Sequence, residues 1–264
     1  MAVTTEISWG DGTSDKIYLT RNASEGNQTV MVSSDANTGA ARSKVVTFSA
    51  SGVTPVTLTV NQAAGSPVLP SGYTALTYVE NPLNNSAYIN TGISTGATVG
   101  FEVDAMFYDE VTSDSSLCGC LFGGRTRANY NDFQITTYAV NPNTNRGTFR
   151  RGRSSQNYNA HLPAINTRFQ ASLVGNTYSI GGSDYTTSAN ITTERDIYLF
   201  ALNNNDSPTQ YGHLRIYRFK LTSGGNLVLD YVPCKRDADN VVGFYDLVAE
   251  AFVPPTSGTL TGIQ

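Results

Sequence analysis

Charged side chains are scarce in this sequence. Asp, Glu, Lys and Arg make up 14% of the 264 residues, and the formal net charge is −4, whereas about a quarter of the residues in an average domain are charged. A protein that binds nucleic acid needs a clustered excess of Lys and Arg. The composition therefore predicts no nucleic-acid partner.

Histidine and cysteine are rare as well, which limits the possible chemistry. His161 and His213 show no H-E-x-x-H spacing, and the chain has no G-x-S-x-G motif, so the zinc-protease and serine-hydrolase patterns are absent. Cys118, Cys120 and Cys234 are an odd number, which argues against a disulfide framework, and they are too few for a four-sulfur zinc site. We predict buried or idle thiols, no catalytic residue, no cofactor and no metal ion.

Long apolar runs are missing too. No stretch approaches the roughly 20 apolar residues of a membrane span, so we expect no membrane partner. The N-terminus, MAVTTEISWGDGTSD, has neither the basic nor the apolar region of a signal peptide. Either the chain is an excised fragment or it is a complete protein made inside a cell. A complete surface protein without an export signal can still leave the cell on a virion that is released by lysis.

Gly, Ser, Thr, Asn and Tyr are abundant instead, a composition typical of many short strands and turns. Residues 1–64 contain short alternating segments, with Val46 and Phe48 predicted on the inner side of one strand and Val56, Leu58 and Val60 on one side of the next. Such strands predict a small β-sandwich of immunoglobulin type with a thin core. Residues 65–69, which contain Pro67 and are followed by Pro70, predict a linker.

Residues 70–264 predict a larger all-β unit without a helix. The clearest alternation lies in 211–248, where Tyr217, Phe219 and Leu221 are predicted to point into the core and Gly224 begins a hairpin turn. Another hairpin is predicted around Gly175, and a polar loop is predicted at 203–208. So many strands in one unit predict a two-sheet jelly roll.

The end of the first unit resembles a known family. Arg42 and Ser43, then a strand, Gly52 and the ending around Gln62 are similar to BACON-type domains, immunoglobulin-like modules of Bacteroidetes proteins and their phages. Leu58 stands where that family has Val, and the first half of the unit matches more loosely. The resemblance implies an association with glycans or mucin.

The second unit resembles the concanavalin A-like, laminin G-like jelly rolls of bacterial surface proteins and phage structural proteins. The segments that carry the resemblance occur in the family's order: LPSGYTALTYVE, YINTGI, LFGGR, LRIYRFKL and DYVPCKRDADNVVGFYDLV. It implies a fold rather than an activity, because such domains are mostly accessory binding or structural modules.

Two acidic pairs are candidates for chemistry. Glu102 and Asp104 occupy the start of the E-x-D-x-x-E pattern of jelly-roll glycosidases, but the required second Glu is missing, so the two-carboxylate machinery is incomplete. We expect a solvent-facing strand and not an enzyme. Asp237 and Asp239 offer oxygen ligands to calcium, or they make Asx turns.

The candidate ligand-binding residues are Arg125, Tyr130, Arg151 and Tyr158. Arg151 belongs to a locally basic stretch, and Arg125 is a candidate neighbour of it. The basic stretch either binds an anionic ligand or a partner subunit, or it is a solvated hairpin. Tyrosines in loops can stack on sugar rings. The further tyrosines considered for this role are Tyr138, Tyr185 and Tyr211.

Taken with the two resemblances, these features predict a non-enzymatic structural protein on the surface of a phage virion, of the capsid-decoration or head-fibre type. Its jelly roll would display a glycan-binding surface, its partners would be capsid proteins and further copies of itself, for example in a trimer, and its ligands would be host or mucin glycans. The alternative is a secreted or cell-surface carbohydrate-binding adhesin of a Bacteroidetes bacterium.

Overall fold

The structure is a computed structural model that describes residues 2–10, 14–22, 29–35, 37, 42–50, 52–62, 65, 67–107, 119–126, 131–138, 146–152, 157–159, 166–187 and 195–264. The chain divides into two compact units, Met1–Val68 and Leu69–Gln264, and the division falls within the predicted linker. The predicted all-β fold is confirmed. In the described part of the chain we find no helix that is long and apolar enough to cross a membrane.

The first unit consists of two small sheets. Its strands are β1 (Ala2–Ser8), β2 (Lys16–Asn22), β3 (Met31–Ser34), β4 (Arg42–Ala50) and β5 (Val53–Gln62). The first three strands form one sheet in the order β1-β2-β3, and β4 pairs with β5 in the other. Ile17 and Leu19 of β2, together with Trp9 just after β1, pack with Val46 of the second sheet, which gives the thin core that the sequence predicts.

Phe48 does not complete that core. It pairs with Val56 at the end of the β4–β5 hairpin, on the same side as Val46, but the two side chains are 39% and 65% exposed. The prediction that Phe48 is buried was therefore wrong, because the hairpin extends beyond the small core.

The motif residues Arg42 and Gln62 join the two sheets. The Arg42 guanidinium lies 4.4 Å from the centroid of the Trp9 ring and donates to Asp15 Oδ2 at 2.9 Å and to Gln62 Oε1 at 2.9 Å. The Gln62 amide in turn donates to the carbonyl oxygen of Asp35 at 2.7 Å. These contacts give both motif residues a structural role.

The second unit is a sandwich of two larger sheets. Its first strands are β6 (Tyr73–Ala75), β7 (Tyr78–Asn81), β8 (Ile89–Ser94), β9 (Val99–Phe107), β10 (Cys120–Thr126), β11 (Asn131–Tyr138), β12 (Arg146–Gly152), β13 (Asn157–Asn159), β14 (Phe169–Val174) and β15 (Thr177–Ile180). The others are β16 (Ser183–Thr186), β17 (Asp196–Leu199), β18 (Leu202–Asn204), β19 (Ser207–Thr209), β20 (Leu214–Ser223), β21 (Asn226–Arg236), β22 (Val242–Asp246), β23 (Ala251–Val253) and β24 (Thr261–Ile263).

The eight-stranded sheet runs in the order β13-β12-β11-β10-β17-β8, with β18 beside β10 and β19 beside β18. The eleven-stranded sheet runs β16-β15-β14-β9-β20-β21-β22-β23, with β6, β7 and β24 attached. Aromatic rings fill the space between the sheets. Phe101 of the larger sheet contacts Phe122 and Phe149 of the smaller one, with ring centroids 4.8 and 5.5 Å away.

Two local predictions for this unit were wrong. The predicted polar loop at 203–208 is the hairpin of β18 and β19. Tyr217 is not part of the core, because a bulge between Ile216 and Arg218 shifts the pairing of β20 with β9 by one position. Phe219 and Leu221, both predicted to be buried, are fully buried.

Candidate functional site

A group of tyrosines lies on the outer face of the eight-stranded sheet. β17 pairs with β8 so that Tyr198 is opposite Asn90, and Leu199 is opposite Ile89. Ile89 and Leu199 are buried in the core, so their side chains point toward the other sheet. Neighbouring side chains along a strand point to opposite faces. Asn90 and Tyr198 therefore point outward, and Tyr88, two positions before Asn90, points the same way.

The tyrosine rings are close to one another. Tyr88 and Tyr198 are stacked with ring centroids 4.8 Å apart and planes 29° apart. Tyr211 bridges to Cys120 of β10, and its pKa is raised by burial and then by its neighbour Tyr88. We name Tyr88, Asn90, Asp196, Tyr198 and Tyr211 the tyrosine face.

The polar members of the tyrosine face are held in place. Asp196 Oδ2 accepts a hydrogen bond from Asn90 Nδ2 at 3.2 Å, and Asp196 Oδ1 accepts one from Ser94 Oγ at 2.9 Å. The Asn90 side-chain oxygen accepts from the Gly92 amide at 2.9 Å. A carboxylate has about four lone-pair positions, so Asp196 can still accept hydroxyl groups from a ligand in a fixed direction.

Gly124 allows the backbone of β17 to approach β10 at this point. A Cβ at Gly124 would lie 3.0 Å from the carbonyl oxygens of both Arg195 and Asp196, closer than ordinary packing permits. The absence of a side chain thus lets the start of β17 lie against the end of β10, which fixes the position of Asp196.

The β18–β19 hairpin borders the tyrosine face. Phe200 adopts φ of 64° directly after β17, and the chain then runs parallel to β10 as β18. Asn205 and Asp206 have φ of 57° and 66°, the conformation of a two-residue type I′ turn. At this turn Arg195 forms an ion pair with Asp206 and donates to Asn205 Oδ1 at 2.9 Å.

These charges act on Tyr198. Its pKa is raised by burial first, then by Tyr88, Asp206 and Asp196, while Arg195 opposes the rise. Tyr198 is 7% exposed, whereas Tyr88 and Tyr211 are half-buried. The tyrosine face is therefore an aromatic surface with two carboxylates and one guanidinium at its border.

The aromatic groups on the outer face of the eleven-stranded sheet differ from this arrangement, because arginines cover them. The pairs are Arg168 over Tyr217, Arg215 over Tyr78 and Arg236 over Phe252, at 3.8, 4.3 and 4.6 Å from guanidinium carbon to ring centroid. Among the described residues, no such cation covers Tyr88 or Tyr198. The half-buried Tyr88 ring is thus better placed to accept a ligand, with the buried Tyr198 ring stacked against it.

Of the four predicted ligand-binding residues, the structure describes the side chains of Arg125 and Arg151. Arg125 lies at the end of β10 and donates through Nε to Asn204 Oδ1 at 3.1 Å, beside the β18–β19 hairpin. Tyr130 lies outside the described residues. Tyr158 is paired with Phe149 on the edge strand β13, and only its backbone is described.

Arg151, the fourth candidate, is 1% exposed. Its Nη1 donates to Gly175 O at 2.8 Å, Asn176 Oδ1 at 3.0 Å and Thr187 Oγ1 at 2.9 Å, and its Nη2 donates to Ala97 O at 2.8 Å. The guanidinium ties β12 of one sheet to the β14–β15 turn of the other. A buried side chain with these contacts stabilises the sandwich and presents no charge to a ligand.

The acidic pairs considered for catalysis or calcium binding are engaged by other residues. Asp104 accepts two hydrogen bonds from Arg168 at 2.6 and 2.8 Å, and Glu102 accepts one from Lys220 at 2.8 Å. In the tight turn after β21, Arg236 and Asp239 form an ion pair at 2.7 Å. Within the described ranges, no cluster of His, Cys, Asp and Glu is suited to hold a metal ion.

Sequence reasoning missed most of the tyrosine face. Tyr211 was among the tyrosines considered for stacking, but Tyr88 and Tyr198 were not. Both lie in short segments, YINTGI and DIYLF, and each is next to a buried Ile there. Side-chain alternation shows which side chains share a face of one strand, but it does not show that β8 and β17 are neighbours.

Comparisons with known proteins add one structural similarity. No family model matches the chain, and no curated protein matches it. A proposed carbohydrate-binding protein from Bacteroides ovatus has a TM-score of 0.46 with this chain and is 10% identical to it, over 100% of this chain and 87% of the other. The assignments to BACON-type and concanavalin A-like families stay predictions.

Proposed function

We propose that this chain is a non-enzymatic carbohydrate-binding protein and that the tyrosine face is its binding site. The observation that carries the proposal is the stacked pair Tyr88 and Tyr198 next to the oriented acceptor Asp196. A pyranose ring has an apolar face that packs on an aromatic ring, and its hydroxyl groups donate to nearby carboxylates and amides. Both kinds of contact are available within this face.

A second feature favours this face over the outer face of the eleven-stranded sheet. There the arginines already occupy the aromatic rings and are themselves paired with acids, as in Arg215 with Glu80 and Arg168 with Asp104. A sugar would have to displace these contacts before it reached a ring. The Tyr88 ring requires no such displacement among the described residues.

A glycan array tests the proposal. The purified chain should bind at least one class of printed neutral or complex glycan, and Tyr88→Ala should weaken that binding at least about tenfold, the equivalent of about 1.4 kcal/mol. Tyr73→Ala is the matched control, because Tyr73 is a half-buried tyrosine in an aromatic cluster of the other sheet. Unchanged binding by a folded Tyr88→Ala variant would contradict the assignment of the site.

We further propose, on the two family resemblances, that this binding protein is displayed on a phage virion, anchored to the capsid and repeated in several copies. Repeated display strengthens weak individual contacts through avidity. Mass spectrometry of purified particles should find the chain, and its absence there would favour the alternative, a secreted or surface adhesin of the bacterium.

A further inference from the structure

We propose that Asp206 sets the charge selectivity of the tyrosine face, so that the face takes uncharged sugars and excludes anionic ones. The inference rests on the proposed carbohydrate-binding function and extends it to a ligand class. Three charged groups act on the Tyr198 hydroxyl: Asp206, Asp196 and Arg195. Two are negative and one is positive, so a ligand at the tyrosine face meets a net negative border.

The single cation in this set is already engaged. Arg195 Nη1 donates to the Asp206 carboxylate, and Arg195 Nη2 donates to Asn205 Oδ1 at 2.9 Å. A guanidinium recognises a carboxylate or sulfate best through two parallel donors. Asp206 already accepts from one of these guanidinium donors, so an incoming anionic sugar would have to compete with an ion pair that is already formed.

The remaining carboxylate favours neutral ligands. Asp196 is held by Asn90 and Ser94, and as an ionised acid it can only accept hydrogen bonds. Sugar hydroxyl groups supply the required donors. A carboxylate or sulfate placed at the same point would instead be repelled, and this repulsion is stronger in a half-buried site than in water.

Arg125 is the other described cation next to the hairpin. It lies on β10 and its Nε donates to Asn204 Oδ1 at 3.1 Å, whereas Arg195 directly precedes Asp196 in the chain and pairs with Asp206. The net charge beside the tyrosine rings therefore depends on Arg195 and Asp206. Asp206 has a side chain that is 65% exposed, so replacing it tests charge with little effect on packing.

The experiment compares matched neutral and anionic glycans on one array: N-acetyllactosamine with its sialylated and sulfated forms, and dextran with dextran sulfate. The natural chain should bind the neutral member of a pair at least about tenfold better. Asp206→Asn removes the negative charge that pairs with the Arg195 guanidinium, and it should raise the ratio of anionic to neutral binding at least about fivefold.

Three controls accompany this variant. Asp206→Asn combined with Arg195→Gln should lose the gain, because the cation is gone. The gain should shrink between about 0.05 M and about 0.5 M NaCl, where exposed charges are screened. Asp184→Asn removes an exposed carboxylate from β16 of the other sheet, where Ser179 donates to it, and should leave the ratio unchanged.

Several results would overturn the inference. If the natural chain binds the sialylated or sulfated forms as well as the neutral ones, the selectivity does not exist, although carbohydrate binding stands. The inference also fails, while carbohydrate binding stands, if Asp206→Asn does not raise the ratio of anionic to neutral binding. It fails likewise if Arg125→Gln abolishes that rise in the Asp206→Asn variant and Arg195→Gln does not. If no glycan on the array binds at all, the proposed function fails together with the inference.

Discussion

Ile216 and Phe219 point to the same side of strand β20, although they are three positions apart. Both side chains are fully buried between the sheets. The pairing of β20 with β9 is irregular between Ile216 and Arg218, so one extra residue is inserted and the alternation changes phase. Tyr217 consequently lies on the outer face, where the Arg168 guanidinium is 3.8 Å from its ring centroid.

The bulge makes a prediction about stability. Phe219→Ala should lower the free energy of unfolding by about 3–5 kcal/mol, because it opens a cavity in the core. Tyr217→Ala, which removes a ring on the outer face, should lower it by about 1 kcal/mol. Equilibrium unfolding in urea measures both. A larger loss for the Tyr217 variant would mean that β20 alternates without a bulge.

The buried guanidinium of Arg151 makes a second prediction. Arg151→Met should lower the free energy of unfolding by about 3–5 kcal/mol, because four acceptors, among them the carbonyl oxygens of Ala97 and Gly175, lose their donor inside the protein. Arg168→Met is the control, since that side chain is 54% exposed and its ion pair should be worth at most about 1 kcal/mol. Similar losses for the two variants would show that Arg151 is hydrated and does not tie the sheets together.

Alkaline pH should destabilise the second unit. Burial, and then Asp237, raises the pKa of the Cys234 thiol from 9.0 to about 12, and burial also raises the pKa of the Tyr178 and Tyr231 hydroxyls. In each case the folded state holds the proton more tightly than the unfolded state. The free energy of unfolding is therefore retained below about pH 9 and falls as the pH rises toward about 12, by at most about 1.4 kcal/mol per pH unit and group.

Urea unfolding at a series of pH values from about 8 to about 11 checks this slope. Cys234→Ala should make the slope shallower, because one titrating group is removed, whatever its effect on stability at neutral pH. A free energy of unfolding that stays constant from about pH 9 to about pH 11 would contradict the assignment of these groups as buried and protonated.

The strands of the second unit could be predicted where alternation and turn residues agree. In β9 the predicted solvent-facing residues Glu102 and Asp104 alternate with the buried Phe101, Val103 and Ala105. β14 and β15 meet at the predicted turn after Val174. Both features depend on residues that are neighbours in the sequence. Local side-chain periodicity and glycine turns are sufficient to specify them.

The bulge in β20 and the tyrosine face depend on distant partners, and for this reason they could not be predicted. The bulge exists because β9 pairs with β20 on both sides of it, and nothing in IYRF marks an inserted residue. Tyr88 meets Tyr198 only because β8 pairs with β17. Arg151 looked like part of a basic surface, because one sequence cannot show that its acceptors lie in the opposite sheet.

The pairing of β7 has a consequence for the order in which the second unit is built. β7 is bonded to β20 at Ile216 and to β24 at Ile263, although it is among the first strands of its unit to leave the ribosome. Until synthesis has reached Ile263, one edge of β7 has no partner strand. The early strands therefore stay incompletely paired, exposed to chaperones and to other nascent chains, and slow translation of the segment from β20 to β24 would prolong that interval.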